Sequence, residues 1–319
     1  MRRGQGVVAM KIPFERTISG AYRFAFTNIF SILGIGWLPY LLMAALIGGL
    51  IYLAAPSFVA LFQAIQTQKP DPAEAMRFIG AILGTEALLL PLILVMSSMV
   101  TVGVMRKALG QHPGPVFVFF SLGSQVWRLI GAYLLIFLLA WGGAIVAGGA
   151  IGLTYYLLDK FVPAAAAPAT VLLGIAAFLY WIYAFVRVQF FIPAVVVAEN
   201  HIGIRRSWHL GKGNFWRIVG IMLIMTIPIG IAAQTIEGPV LQYGLGGAMA
   251  ALGPHPSPEE VRNLFSLLLT ALKKVGPVLV LIQIVHWVLL SGLVGGAVAN
   301  AYSLVTGGQD IAPPAKGTA

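Results

Sequence analysis

The 319-residue chain has no cysteine, few charges and few acids, and each shortage removes a class of function. Without cysteine there is no disulfide framework, no thiolate metal site and no thiol nucleophile. Only 9% of residues are charged, against about a quarter in a soluble domain, while 59% are hydrophobic. Water is therefore not the main solvent of this chain. The acids form no Glu-x-Asp pair, and the five histidines (His112, His201, His209, His255 and His286) are scattered, with no adjacent His-Arg pair. Neither a paired-acid site nor a metal site is written in this pattern, and no cofactor is called for. Gly142, Gly143, Gly148 and Gly149 make no phosphate loop, because they sit in an apolar run that no Lys-Ser/Thr follows.

What the sequence does have is apolar runs of about 20 residues or more, the length a helix needs to cross about 30 Å of hydrocarbon. They lie near residues 28–55, 78–105, 129–158, 169–188, 216–236 and 277–305. A lipid-embedded segment must satisfy its own backbone hydrogen bonds, which excludes open sheet, and the runs lack the alternation of barrel strands. The expectation is all-α: a polytopic membrane protein of six transmembrane helices in a single domain, 1–308, with a disordered tail at 309–319. The first run is too long for a signal peptide's apolar region and no cleavage site follows it, so the basic N-terminus is read as retained.

Charge orients the spans. The first segment holds Arg2, Arg3, Lys11, Arg16 and Arg23 against Glu15. The second-to-third connection holds Arg106, Lys107 and Arg128 with no acid, and the fourth-to-fifth holds Arg205, Arg206, Lys212 and Arg217 against Glu199. Together these supply a net charge equal to the chain's whole +10, while the alternate connections balance. The positive-inside rule makes the basic face cytoplasmic, with both termini there and the protein in a bacterial inner membrane. The same bias accounts for the basic pI without nucleic acid, and points to anionic lipid headgroups as partners. A membrane-protein partner is compatible with these features and is named by none of them.

Three entries from this face look alike: Asn28-Ile-Phe-Ser-Ile-Leu-Gly34, Gln125-Val-Trp-Arg-Leu-Ile-Gly131 and Asn214-Phe-Trp-Arg-Ile-Val-Gly220. Each offset encloses one outward and one returning span, so the chain reads as three helical hairpin repeats marked by Asn28, Gln125 and Asn214. The amide is expected to cap backbone N–H groups at each helix start. Tyr22-Arg23-Phe24 aligns with Trp208-His209-Leu210 ahead of the first and third entries, as in short interfacial helices. On the other face, Ser257-Pro-Glu-Glu260 has the form of a capping box before an amphipathic stretch, and Leu61 to Gln66 is a shorter counterpart.

At Pro193-Ala-Val-Val-Val-Ala-Glu199, followed by Arg206-Ser-Trp-His-Leu-Gly-Lys-Gly-Asn-Phe-Trp-Arg217, the chain resembles a bacterial multi-pass family. This is the membrane domain attached to some glycerophosphoryl diester phosphodiesterases, with its stand-alone relatives. The resemblance implies a membrane module near lipid or phosphodiester chemistry, and no catalysis, because the soluble catalytic barrel has no counterpart here.

Glu86 and His286 fall about 12 and 14 Å below the outer span ends at about 1.5 Å per residue. Their matching depth suggests a shared-proton pair, for which a protonated Glu86 or one packing hydrogen bond is the plainer account. Gln283 and Asn300 join them as intramembrane polar candidates. Arg23, Arg128, Arg187, Arg205, Arg206, Lys212 and Arg217 are candidate headgroup ligands, Arg187 by snorkelling. Gly148 with Gly152 and Gly292 with Gly296 form ridges suited to close packing within the chain. Two functions follow: a non-catalytic module that binds or organises lipid, or a transporter built on repeated hairpins, proline-interrupted spans at Pro39, Pro91 and Pro228, and the Glu86–His286 pair. An intramembrane enzyme lacks a catalytic constellation.

Overall fold

The computed structural model describes residues 11–66, 72–112, 114–250 and 258–307, and every regular element among them is an α-helix. Helix α1 (Phe14–Thr27) leads into α2 (Ile29–Gln66), and α3 (Pro72–Ala108) returns. Helices α4 (Ser124–Phe161) and α5 (Pro163–Gln189) are joined through Val162 alone. Two short helices, α6 (Ile192–Glu199) and α7 (Ile204–Leu210), precede α8 (Phe215–Ala250) and α9 (Pro258–Thr306). The six long helices are each apolar enough to cross a membrane, which makes this a multi-pass membrane protein. Consecutive spans pack on each other, α2 on α3, α4 on α5 and α8 on α9, while α9 also lies against α1, α2 and α3. Six crossings bring Lys11 and Gly307 to one face with α1, α6 and α7, referred to below as the basic face.

Several helices outrun the hydropathy. The 49 residues of α9 extend about 74 Å at about 1.5 Å per residue, more than twice the hydrocarbon thickness. The amphipathic stretch after Pro258 is accordingly no separate interfacial helix but the first part of α9, and Leu61 to Gln66 is the end of α2. The reason is local: residues 264–275 are rich in Leu, Ala and Lys, which favour helix, and Pro277 removes a single backbone bond. Helices likewise continue through Pro39, Pro91 and Pro228, so these spans are not broken as a transporter's unwound helices would be. Ser257 and the expected tail at 309–319 lie outside the described residues.

The buried core gathers toward the basic face. Ile32, Met105, Leu129, Ile218, Leu293 and Tyr302, each at most 2% exposed, come from five different spans. Helix α6 is buried from Ile192 to Val197 against α3, α4, α5, α7 and α9. Lipid is as apolar as these side chains, hence the bundle is held by close packing and hydrogen bonds rather than by exclusion of water. The α4–α5 hairpin departs from this pattern: residues 134–165 and 171–182 are mostly exposed, so the hairpin joins the bundle near the basic face and stands apart from it beyond.

Glycine placement separates packed helices from unpartnered ones. A Cβ on Gly296 would come within 2.9 Å of Phe24 and 3.2 Å of the Ala21 backbone, and one on Gly292 within 2.8 Å of Ile32. The buried Thr17, Ala21 and Ala25 of α1 give the complementary small stripe, so this glycine ridge packs within the chain, as the spacing predicts. Gly148 and Gly152 have nothing within 4 Å. The packing expected of them is corrected: among the described residues nothing packs on the exposed face of α4 that carries them. Gly296→Ala is expected to lower stability by about 1–3 kcal/mol through overpacking, whereas Gly148→Ala should leave it unchanged or slightly raised. Thermal unfolding of the purified protein in detergent compares the two.

Candidate functional site

Three segments lie on the basic face: residues 11–13 ahead of α1, residues 109–112 with 114–123 between α3 and α4, and residues 200–203 between α6 and α7. Their backbone groups are satisfied by side chains at the span entries. Gln125 accepts from Arg106 Nε at 2.6 Å and donates through Nε2 to the Val197 carbonyl at 3.1 Å, which Gln111 Nε2 also reaches at 3.3 Å. Three residues on, Arg128 donates to both the carbonyl and the side-chain oxygen of Asn200, the residue whose positive φ of 57° ends α6. Asn214 does the same work elsewhere: its Oδ1 accepts the Ile12 N–H at 2.9 Å, and Arg217 donates to the Ile12 carbonyl at 2.8 Å. Each amide–arginine pair thus holds a remote segment by its backbone.

The glycine of each entry is also a point of approach. A Cβ on Gly34 would meet the Val116 carbonyl at 1.9 Å, one on Gly131 Ile202 at 3.4 Å, and one on Gly220 the Phe14 ring at 3.0 Å. Asn28 differs from its two counterparts. It has no arginine three residues on, and its Nδ2 turns back to the Phe24 carbonyl at 3.0 Å. Capping of N–H groups at their own helix starts is corrected for two of these amides: Asn28 donates back to the preceding turn, and Gln125 reaches α6.

Glu199, at the end of α6, was not singled out by sequence reasoning, yet it collects three partners. Arg206 Nε and the Tyr302 hydroxyl each lie 2.9 Å from Oε1, and His201 Nε2 lies 3.0 Å from Oε2. It ties α6, α7 and α9 together. Its position in the Pro193–Glu199 run, as the one charge after five apolar residues, was the available signal. Arg187 is likewise a clamp between α5 and α7. It is 6% exposed, donates to the Trp208 carbonyl at 2.9 Å and the Tyr183 hydroxyl at 2.8 Å, and stacks 3.9 Å from the Trp208 ring centroid. The expected snorkelling of Arg187 to headgroups is overturned, because a guanidinium covered by α7 finds a carbonyl and a π face closer than lipid phosphate.

The headgroup candidates therefore divide. Arg128, Arg187, Arg206 and Arg217 are engaged with the protein, whereas Arg23, Arg205 and Lys212 are exposed and have no side-chain partner among the described residues. Lys212 lines a cavity of about 580 Å³ on the basic face with Lys11, Arg206, His209, Leu210, Gly213 and Val305.

The intramembrane candidates do not form a site. Glu86 is exposed and makes no hydrogen bond or ion pair among the described residues, while His286 Nδ1 is buried without a partner. The proposed Glu86–His286 pair is absent, since equal depth does not fix which face of a helix a residue occupies. Gln283 instead donates to Glu237 at 2.7 Å, an acid expected outside the membrane because apolar residues stop at Ile236, although α8 runs on to Ala250. Asn300 lies toward the basic-face end of α9, bonded to the Gly296 carbonyl at 2.8 Å and packed on Gly20. Away from these, an apolar groove of about 540 Å³ opens between α3, α4 and α5. Its walls include Leu94, Phe137, Trp141, Trp181 and Phe185, with Tyr133 and Gln189 as its hydroxyl- and amide-bearing lining.

No family model, no curated protein and no solved structure matches this chain.

The contrast between the two glutamates is measurable. Glu199→Ala removes the carboxylate shared by Arg206, Tyr302 and His201 and should cost about 1–3 kcal/mol, whereas Glu86→Gln and Glu86→Leu should produce no loss. A Glu86 variant that lowered the unfolding midpoint in detergent as far as Glu199→Ala would show that Glu86 has a partner.

Proposed function

We propose that this protein is a non-catalytic membrane module that binds membrane lipid, with the groove between α3, α4 and α5 taking an acyl chain. The supporting observation is that groove. It faces outward from the bundle, is walled by two tryptophans and two phenylalanines, and lies where the α4–α5 hairpin stands away from its neighbours. An apolar concavity open to hydrocarbon offers a chain more wall contact than bulk lipid does, and flat aromatic faces supply that contact at low entropic cost. The bundle interior, by contrast, contains apolar side chains together with the buried polar residues Thr17, Ser31, Ser98, Arg187, Ser207 and Asn214, and no buried acid among the described residues. That composition favours lipid engagement over a transport path, whose basis in Glu86 and His286 is gone.

The finer architecture belongs to the same reading. Three hairpins, α2–α3, α4–α5 and α8–α9, are taken as repeats. Each entry glycine is approached by the segment that leads into another hairpin, and the Gln125–Arg128 and Asn214–Arg217 pairs perform one task at aligned positions. The basic face is cytoplasmic in a bacterial inner membrane, on the strength of its Lys and Arg excess. The resemblance at Pro193–Glu199 and Arg206–Arg217, which implies a membrane module near lipid or phosphodiester chemistry, is compatible with this reading.

Filling the groove tests the function. Ala140→Trp and Ala144→Trp place bulk on its floor and should at least halve the lipid that co-purifies with the protein, as quantified by mass spectrometry. Unchanged lipid content in both would refute the groove. Orientation is tested separately: reporter fusions at Gln111 and Lys212 should read cytoplasmic, and one at Lys160 external.

A further inference from the structure

The groove leaves the basic-face cavity unused, and its chemistry is of another kind. Lys11, ahead of α1, Arg206 and His209 on α7, and Lys212 in the turn after it converge on one concavity of about 580 Å³, with no acid in its lining. Arg206 has its Nε on Glu199 at 2.9 Å. Lys11 and Lys212 are exposed and have no side-chain partner among the described residues. Like charges gathered around one concavity repel, and an anion bound among them relieves that repulsion.

The backbone contributes as well. Gly213 lines the cavity with φ +75°, a left-handed conformation that glycine adopts without strain. Its N–H has no partner among the described residues, although those of Gly211, Lys212 and Asn214 are bonded within the turn. A free N–H between cations is an anion-binding element. Leu210 and Val305 supply apolar wall, which weakens solvent screening and strengthens each charged contact.

We infer that this cavity binds a phosphate group, the compact multi-acceptor anion that lysine ammonium groups, a guanidinium and a backbone N–H satisfy together. Two sources share that chemistry, an anionic lipid headgroup reaching in from the leaflet and a soluble phosphate from the aqueous side. The site is independent of the groove, since its lining shares no residue with it.

The test uses full-length protein, delipidated in detergent, and three probes: dioctanoyl phosphatidic acid, dioctanoyl phosphatidylcholine and inorganic phosphate. Binding is read by native mass spectrometry for the lipids and by calorimetry for phosphate. The double variant Lys11→Ala/Lys212→Ala removes two unpaired cations of the cavity. Arg23→Ala/Arg205→Ala removes two exposed cations of the same face from outside it. Phosphatidic acid binding weakened at least tenfold in the first variant and less than about twofold in the second assigns the site to a headgroup. The same pattern for inorganic phosphate assigns it to a soluble anion. Wild-type binding of both probes in the cavity variant, or equal losses in the two variants, would overturn the site. Ala140→Trp, which fills the groove, should leave phosphate recognition intact, so failure of one reading is distinguishable from failure of the other.

Discussion

Backbone groups that end up at a buried turn must find partners where water is scarce, and on the basic face of this protein they find arginine and amide side chains. The Val197 carbonyl takes Gln111 and Gln125, the Asn200 carbonyl takes Arg128, and Ile12 is held at its N–H by Asn214 and at its carbonyl by Arg217. A stranded buried group costs about 1–3 kcal/mol, and bonds to a charged donor are among the stronger ones available. These ties let α6, an eight-residue apolar helix, sit inside the convergence of the spans instead of on its surface.

Fixing the spans at one end has consequences at the other. Helices α2, α3 and α8 each pack on α9, while the α4–α5 hairpin, anchored through α3, α6, α7 and α8, exposes most of its length. The divergence creates the aromatic groove, and the uncovered glycines of α4 lie on the same hairpin. Most arginines of the basic face are consumed in holding the fold. Lys11 and Lys212 remain free, and they stand together at a cavity that the same convergence leaves beside the end of α9. Packing thus decides which charges are available for recognition.

The number of spans was legible because hydropathy reports the solvent of a helix directly. Helix ends were less so: α8 and α9 carry on beyond their apolar stretches through residues that favour helix, which placed Glu237 outside the membrane when it bonds Gln283. Depth could be counted for Glu86 and His286, but direction could not, and direction decided that they do not pair. The two glycine ridges read alike in sequence, yet Gly296 meets α1 and Gly148 meets nothing. Arg187 and Arg205 were equally basic in the sequence. One lies beneath Trp208 and the other is exposed, a difference set by which segment folds over each. The amide, arginine and glycine spacing of the entries was visible, while its use, gripping the backbone of a remote segment, needed three dimensions.

A lipid-binding bundle and a transport bundle differ most plainly in what occupies their interior. An experimental density map of the protein in a lipid nanodisc, resolved well enough to distinguish ordered lipid from water, tests this most directly. The expected result is elongated density along Trp141 and Trp181 between α3, α4 and α5, with the packed interior around α9 dry. A continuous file of water crossing that interior, with the groove empty, would contradict it.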